Sequence, residues 1–304
     1  MMQVTFLGTS AAVPTVDRNV SALMVQREGD LFLFDCGEGT QRQMMRYGAG
    51  FAVDDVFITH YHADHTLGIP GLLRTMGLQG RTAPLRLHGP RGAQRHLGAL
   101  TALGMERPKF PVEIFAVQPG DVIPRGDYDL VVGAAKHKGD CLAFAIVEHE
   151  RLGRFDPERA RELGIPEGPL WGRIHRGESV TLADGRVVEP HELVGATRPG
   201  RRLVYSGDTA PSDAIVELAR GADLLIHEAT FGADEVERAR ETNHSTARDA
   251  ATAARDAGVR RLVLTHLSAR YSRDAPELVA EARDLFPATE VARDGMVIDV
   301  AFAV

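Results

Sequence analysis

Short apolar runs alternate with helical stretches along the first third of the chain. VTFL at 4–7, SALMV at 21–25 and LFLF at 31–34 are bounded by Gly8 and by the Glu28-Gly29-Asp30 turn, and this length and punctuation predict strands. A helix is expected from near Gly37, carrying Thr40 to Tyr47, and VFIT at 56–59 predicts the next strand. From Asp64, the spacing of Leu67, Leu72, Leu73 and Met76 predicts a helical stretch interrupted near its start by Pro70. LRLH at 85–88 and a helix from near Pro90 repeat the theme.

The middle of the chain breaks the pattern. From Glu148 to about Arg202 the sequence is polar and weakly periodic, with Gly and Pro scattered through it, so it reads as a protruding functional element or a linker. Patterning resumes at LVYSGD (203–208) and LLIHEAT (224–230). It continues with a helix across 245–257, LVLTHL (262–267), a helix across 276–285 and a last strand through MVIDVAF. Because the polar segment interrupts one pattern, we read a single α/β domain over 1–304 with an arm inserted at about 150–200.

Composition narrows the function classes. With 304 residues and 44% hydrophobic content the chain can build a sizeable core, which excludes general disorder. Two cysteines, Cys36 and Cys141, cannot form a bridge framework, so a reducing cytoplasm is the expected compartment. No run reaches the roughly 18 apolar residues of a membrane span, and the start lacks a basic, then apolar, leader. A net charge of −7 argues against coating DNA, though a local basic patch can still grip a nucleic acid.

The chemistry gathers at His60-Tyr61-His62-Ala63-Asp64-His65, directly after VFIT. Four nitrogen or oxygen ligands within six residues exceed what one tetrahedral ion uses, which points to two metals sharing one loop. His62 can face the same way as His60 on an extended segment, while Asp64 and His65 lie past the turn. Asp208 and His266 also stand where apolar runs end, as does His227, and ligands in layered αβ folds gather at the carboxyl ends of strands. His137, after DLVVGA, is a further candidate ligand, and Asp208 is the natural bridge. His88, His96, His149, His175 and His191 lack such context and read as surface or capping residues.

With FLGTSAAVP, FDCGEGTQRQM, HYHADH, YSGDT, HEATF, NHST and THLSARY, the chain resembles the metallo-β-lactamase superfamily and, within it, the short-form RNase Z family of tRNA 3′-processing endoribonucleases. The resemblance covers essentially the whole chain. It implies a four-layer αβ/βα sandwich with a protruding arm, and hydrolysis that removes the 3′ trailer of precursor tRNA. The products are a 3′-hydroxyl on the tRNA and a 5′-phosphate on the trailer. It also implies two Zn2+ per subunit, one held by His60, His62, His137 and Asp208 and the other by Asp64, His65, Asp208 and His266. Mn2+ or Fe2+ suits such donors as well. A related dinuclear-zinc phosphodiesterase or small-ester hydrolase is the alternative.

In the catalytic roles we place Asp64, as proton acceptor from the attacking water, and His244, as donor to the leaving 3′ oxygen. Glu228 is placed to hydrogen-bond His244 and raise its pKa. Asp35 reads as an orienter of a metal-bound histidine, and His227 as structural. The family pattern carries a basic residue in the loop that here reads Pro14-Thr15-Val16-Asp17-Arg18-Asn19; Val16 takes its place, and Arg18 and Asn19 remain as expected substrate contacts. Residues 173–202 hold six Arg against four acids, a basic excess in an acidic chain. The resemblance implies that the arm grips the tRNA through Gly168, Pro169, Arg173, His175 and Arg176, in a homodimer.

Overall fold

The computed structural model describes residues 1–104 and 107–303. Its two compact units are Met1–Val147 with Arg201–Phe302, and Glu148–Gly200.

The larger unit contains two seven-stranded sheets. The first runs, in spatial order, Val297–Asp299, Met2–Gly8, Ala22–Arg27, Asp30–Phe34, Asp55–Phe57, Leu85–Gly89 and Val112–Ala116. The second runs Thr289–Val291, Leu262–Thr265, Leu224–Glu228, Arg202–Tyr205, Cys141–Glu148, Tyr128–Ala135 and Val122–Pro124. Strands from Asp30–Phe34 to Val112–Ala116 pair in parallel, as do those from Arg202–Tyr205 to Thr289–Val291.

Period-two side-chain placement explains the layering. Phe32 and Phe34 join Phe57, Phe144, Leu203 and Ile226 in one core between the sheets. Leu33, between those phenylalanines, instead packs with Leu72, Leu73, Met76 and Leu97 under helices Ile69–Leu78 and Ala93–Thr101. On the second sheet Val204, Leu225 and Leu264 pack with the alanines of helix Ala247–Ala257 and with Leu278. Helix, sheet, sheet and helix therefore form four layers, and strands buried on both faces read as unbroken apolar runs. The rings of Phe34, Phe57 and Phe144 lie 5.3–5.6 Å apart and tie the sheets together.

Several sequence expectations need adjustment. The helix expected from Asp64 is two, Ala63–Thr66 and Ile69–Leu78, and between them the Gly68 N–H leaves the helical ladder for the Cys36 carbonyl at 2.8 Å. A Cβ on Gly68 would stand 2.0 Å from the Gly37 carbonyl oxygen, whereas Pro70 sits harmlessly in the first turn of the second helix. Val112–Ala116 and Val122–Pro124 were not expected as strands, nor was Cys141–Glu148.

Residues 148–200 are folded rather than a bare linker. Helices Pro157–Glu162 and Pro169–His175 and a hairpin pairing Val180–Thr181 with Val187–Val188 enclose Ala160, Ile165, Ile174, Val180, Val188 and Leu193. The basic excess does not survive these bounds. Arg201 and Arg202 belong to the larger unit, with Arg201 buried, and 148–200 carries eight Arg against ten acids.

Candidate metal centre

Strand Asp55–Phe57 leads into a bend at Thr59, where Thr59 and His60 are buried. His62 is extended, with φ −64° and ψ 154°, and opens the short helix that carries Asp64 and His65. On the second sheet the chain leaves strand Arg202–Tyr205 through Gly207 at φ +58°, where a Cβ would meet the Leu142 carbonyl at 2.8 Å, and so presents Asp208. His266 follows strand Leu262–Thr265 at φ +54°, a left-handed conformation uncommon outside glycine. Left-handed Asn243, at φ +58°, ends helix Val236–Thr242 just before His244, and Thr246 caps the helix Ala247–Ala257 beyond it. All these turns follow the carboxyl ends of strands or link the helices behind them.

Among the described residues three groups of ligand atoms result, the third of which, Asp208, His244 and His266, shares Asp208 and His266 with the two that follow. His60, His62, His137 and Asp208 form one and Asp64, His65 and His266 the other, each with its ligand atoms within 4.8 Å of one another. Asp208 Oδ2 joins the groups, lying 3.7 Å from His60 Nε2, 3.4 Å from His65 Nε2 and 3.3 Å from His266 Nε2. Asp64 Oδ2 is 3.5 Å from His65 Nε2 and 3.4 Å from His266 Nε2, and it accepts the Ala12 N–H at 2.8 Å. Ala12 itself holds φ +61°.

Outer contacts aim the rings. Asp35 Oδ2 faces His65 Nδ1 at 2.8 Å and accepts the Tyr205 hydroxyl at 2.9 Å. The Asn243 carbonyl accepts from His137 Nδ1 at 2.8 Å. Among the described residues, His65 Nε2 and Asp208 Oδ1 are buried with no hydrogen-bond partner, an arrangement a cation satisfies. The donor set of imidazoles and carboxylates fits a divalent metal.

Electrostatics agree. Burial, then the charge of neighbouring imidazoles, pushes His60 well below its ordinary pKa, and burial likewise lowers His62 and His137, leaving the neutral rings that ligation needs. Burial opposes ionisation of Asp208, but His266 and His65 outweigh it and hold the carboxylate well below the usual range. Burial also works against charge on His65, yet Asp208, Asp35 and Asp64 raise it well above the ordinary value, so this point of the pocket calls for positive charge.

Beside these groups, His244 Nδ1 stands 2.7 Å from Glu228 Oε1. Burial lowers the His244 pKa, and the Glu228 carboxylate more than reverses that, taking it up to about 8. His244, His62, Asp64, His137, Asp208 and His266 line one cavity of about 440 Å³ with Lys138 and Arg238 at its wall. A larger cleft of about 1010 Å³ shares no residue with it. His227 is buried apart, its Nδ1 2.7 Å from the Glu228 carbonyl.

Arg18 stands outside this cavity. It is 3% exposed, its guanidinium donates to the carbonyls of Tyr271, Ser272 and Ala292 and to Thr9 Oγ1, and it lines the larger cleft. Asn19 is half-buried, donating from Nδ2 to the Glu38 carbonyl at an exposed position and from its backbone to Asp294. Both residues anchor the loop. In the arm, Gly168 precedes helix Pro169–His175 at φ +149°, and Arg173 and Arg176 reach Glu178 at 2.7 and 3.8 Å. Sequence reasoning passed over Ala12, Thr59, Thr230 and Lys138; only the position of Thr59 and Thr230 beside metal-type motifs marked them.

Residues 15–266 match the model of the metallo-β-lactamase superfamily, which sets the class. A ribonuclease Z of Gemmatimonas aurantiaca is 60% identical over 98% of this chain and 96% of its own. One from Haloferax volcanii is 51% identical over 99% and 96%. The crystal structure of human tRNase Z, short form, matches at a TM-score of 0.69 and 28% identity over 99% of this chain and 100% of that one. The chain belongs to the metallo-β-lactamase superfamily and, within it, to the ribonuclease Z family.

Proposed function

We propose that the chain is a metal-dependent endoribonuclease that removes the 3′ trailer from precursor tRNA, leaving a 3′-hydroxyl on the tRNA and a 5′-phosphate on the trailer. The observation that carries this reading is His244, held by Glu228, in the same cavity as His62, Asp64, His137, Asp208 and His266, because a ribose leaving group needs a proton near neutral pH. The names of its near full-length relatives support it.

In this reading His60, His62, His137 and Asp208 hold one ion, and Asp64, His65, Asp208 and His266 hold a second. Two Zn2+ are the expected pair, with Mn2+ or Fe2+ as other fits. Such ions, when bound, supply a nucleophile at neutral pH and neutralise charge on the phosphate. Asp64, with Oδ2 turned to Ala12, accepts the attacking water's proton at Oδ1. His244, with Nδ1 held by Glu228, donates from Nε2 to the leaving 3′ oxygen.

We read residues 148–200 as an RNA-gripping insertion in a single domain, touching tRNA through Gly168, Pro169, Arg173, His175 and Arg176. With no net basic charge in the arm, its grip rests on placed guanidinium groups and backbone rather than on a broad field. A homodimer in the cytoplasm is the expected setting. Among the described residues no helix is long and apolar enough to cross a membrane.

The test is to incubate the pure protein with precursor tRNAs, with and without encoded CCA, and map both product ends. A single cut at the 3′ side with the stated termini is expected; no endonucleolytic cut of either substrate overturns the reading.

A further inference from the structure

Two buried carboxylates each serve two histidines of the candidate metal centre, one directly and one across a threonine hydroxyl. Asp35 Oδ2 meets His65 Nδ1, and both Asp35 oxygens lie 3.0 Å from Thr59 Oγ1, which is 3.0 Å from His60 Nδ1. Glu228 Oε1 meets His244 Nδ1, and Oε2 lies 2.7 Å from Thr230 Oγ1, which is 2.9 Å from His266 Nδ1. The backbone N–H of each threonine also donates to its own carboxylate, at 2.8 and 3.1 Å.

A hydroxyl has a single proton. Asp35 is completely buried and receives the Thr59 amide and the Tyr205 hydroxyl besides, so it works as an acceptor and takes the Thr59 proton. Glu228, 1% exposed, accepts the amides of Thr209 and Thr230 and does the same to Thr230. Each threonine oxygen can then only accept from an imidazole; for Thr230 the near one is His266 at 2.9 Å, because His244 Nδ1, 3.4 Å away, is engaged by Glu228 at 2.7 Å. Nδ1 must carry the ring proton, and the lone pair falls on Nε2, which lies within 3.7 Å of Asp208 Oδ2 in both rings and, in His60, 2.8 Å from another ligand atom, His62 Nδ1.

We propose that Thr59 and Thr230 are tautomer clamps, positioning residues that fix His60 and His266 with Nε2 unprotonated for metal, one clamp in each ligand group. The inference rests on the metal reading given above. It assigns a distinct role to each hydroxyl. Thr59 acts on the group of His60, His62 and His137, and Thr230 on the group of Asp64, His65 and His266.

The test compares Thr59→Val and Thr230→Val, which delete the hydroxyl with little change of shape, with Thr59→Ser and Thr230→Ser, which keep it. Zn2+ affinity is measured on folded protein by competition with a chelator, and the imidazole N–H resonances of zinc-loaded protein are followed by NMR. Each Val variant should weaken one of two zinc sites by roughly 10–100-fold, the cost of losing an outer hydrogen-bond partner. It should also lose the Nδ1–H resonance of its own histidine. The Ser variants should behave as wild type. Val variants with unchanged affinity and resonances overturn the clamp, as do Ser variants as weak as Val. A wild-type chain that binds no Zn2+ fails the metal reading instead, and the clamp with it.

Discussion

The cavity and the arm hold ionisable groups in opposite ways. At the metal centre His60, His65, Asp208, Glu228 and His266 are each no more than 3% exposed, and further buried groups set the orientations of the rings. In the arm Arg173 and Glu178 pair at 47% exposure each, and Arg176 joins them at 63%. Buried hydrogen bonds act at low dielectric and fix geometry, while exposed pairs are screened and exchange partners readily. Chemistry that needs a proton at one atom belongs in the first environment. Binding that must accept many RNAs of one shape suits the second.

The sharpest way to break this contrast is at its most buried point. Asp208→Ala removes the oxygen that joins both ligand groups. Its loss of metal should exceed the roughly 10–100-fold change that follows loss of an outer partner. Elemental analysis checks this, and two ions retained in that variant would contradict the bridge. His244→Ala should keep its metal yet slow cleavage by about 10²–10⁴-fold, the share a general acid supplies. Full activity in the metal-replete variant would end the acid assignment.

Replacing 148–200 by a short turn tests the other side. Val147 pairs with Arg202 in the antiparallel register, so a tight hairpin can close the gap without disturbing the sheet. Cleavage of precursor tRNA should fall by an order of magnitude or more, about what several lost phosphate contacts are worth at physiological salt. Hydrolysis of bis(p-nitrophenyl) phosphate should persist; equal loss of both would make the segment structural.

The smallest expected effect is a shift in pH. His244 must be protonated to donate, so activity falls as pH rises through its pKa. Burial lowers that pKa and Glu228 raises it, so Glu228→Gln should move the alkaline limb of kcat/KM to lower pH. An unmoved limb would show that another group sets it.

What could be read from sequence follows the same division. The ligand residues stood out because His and Asp are rare at the ends of apolar strands, and parallel sheets gather those ends together. Val112–Ala116 and Val122–Pro124 escaped because they are edge strands with one side in solvent and mixed composition. Arg18 was legible only through the family's loop pattern, and the carbonyls it satisfies become visible only in the tertiary structure. The arm's charge depended on where the arm ends, which a chain without periodicity does not mark. Thr59 and Thr230 hid because threonine at a strand end is ordinary β preference.

Ala12 brings a last consequence. An alanine at φ +61° stores strain of order 1–3 kcal/mol, and the amide it presents holds Asp64 Oδ2. The fold therefore gives up thermal robustness to keep one carboxylate oxygen in place. Ala12→Gly keeps that amide while it relieves the left-handed strain, so it should leave turnover unchanged, whereas a residue without an N–H at this position, Ala12→Pro, should release Asp64 Oδ2 and lower turnover.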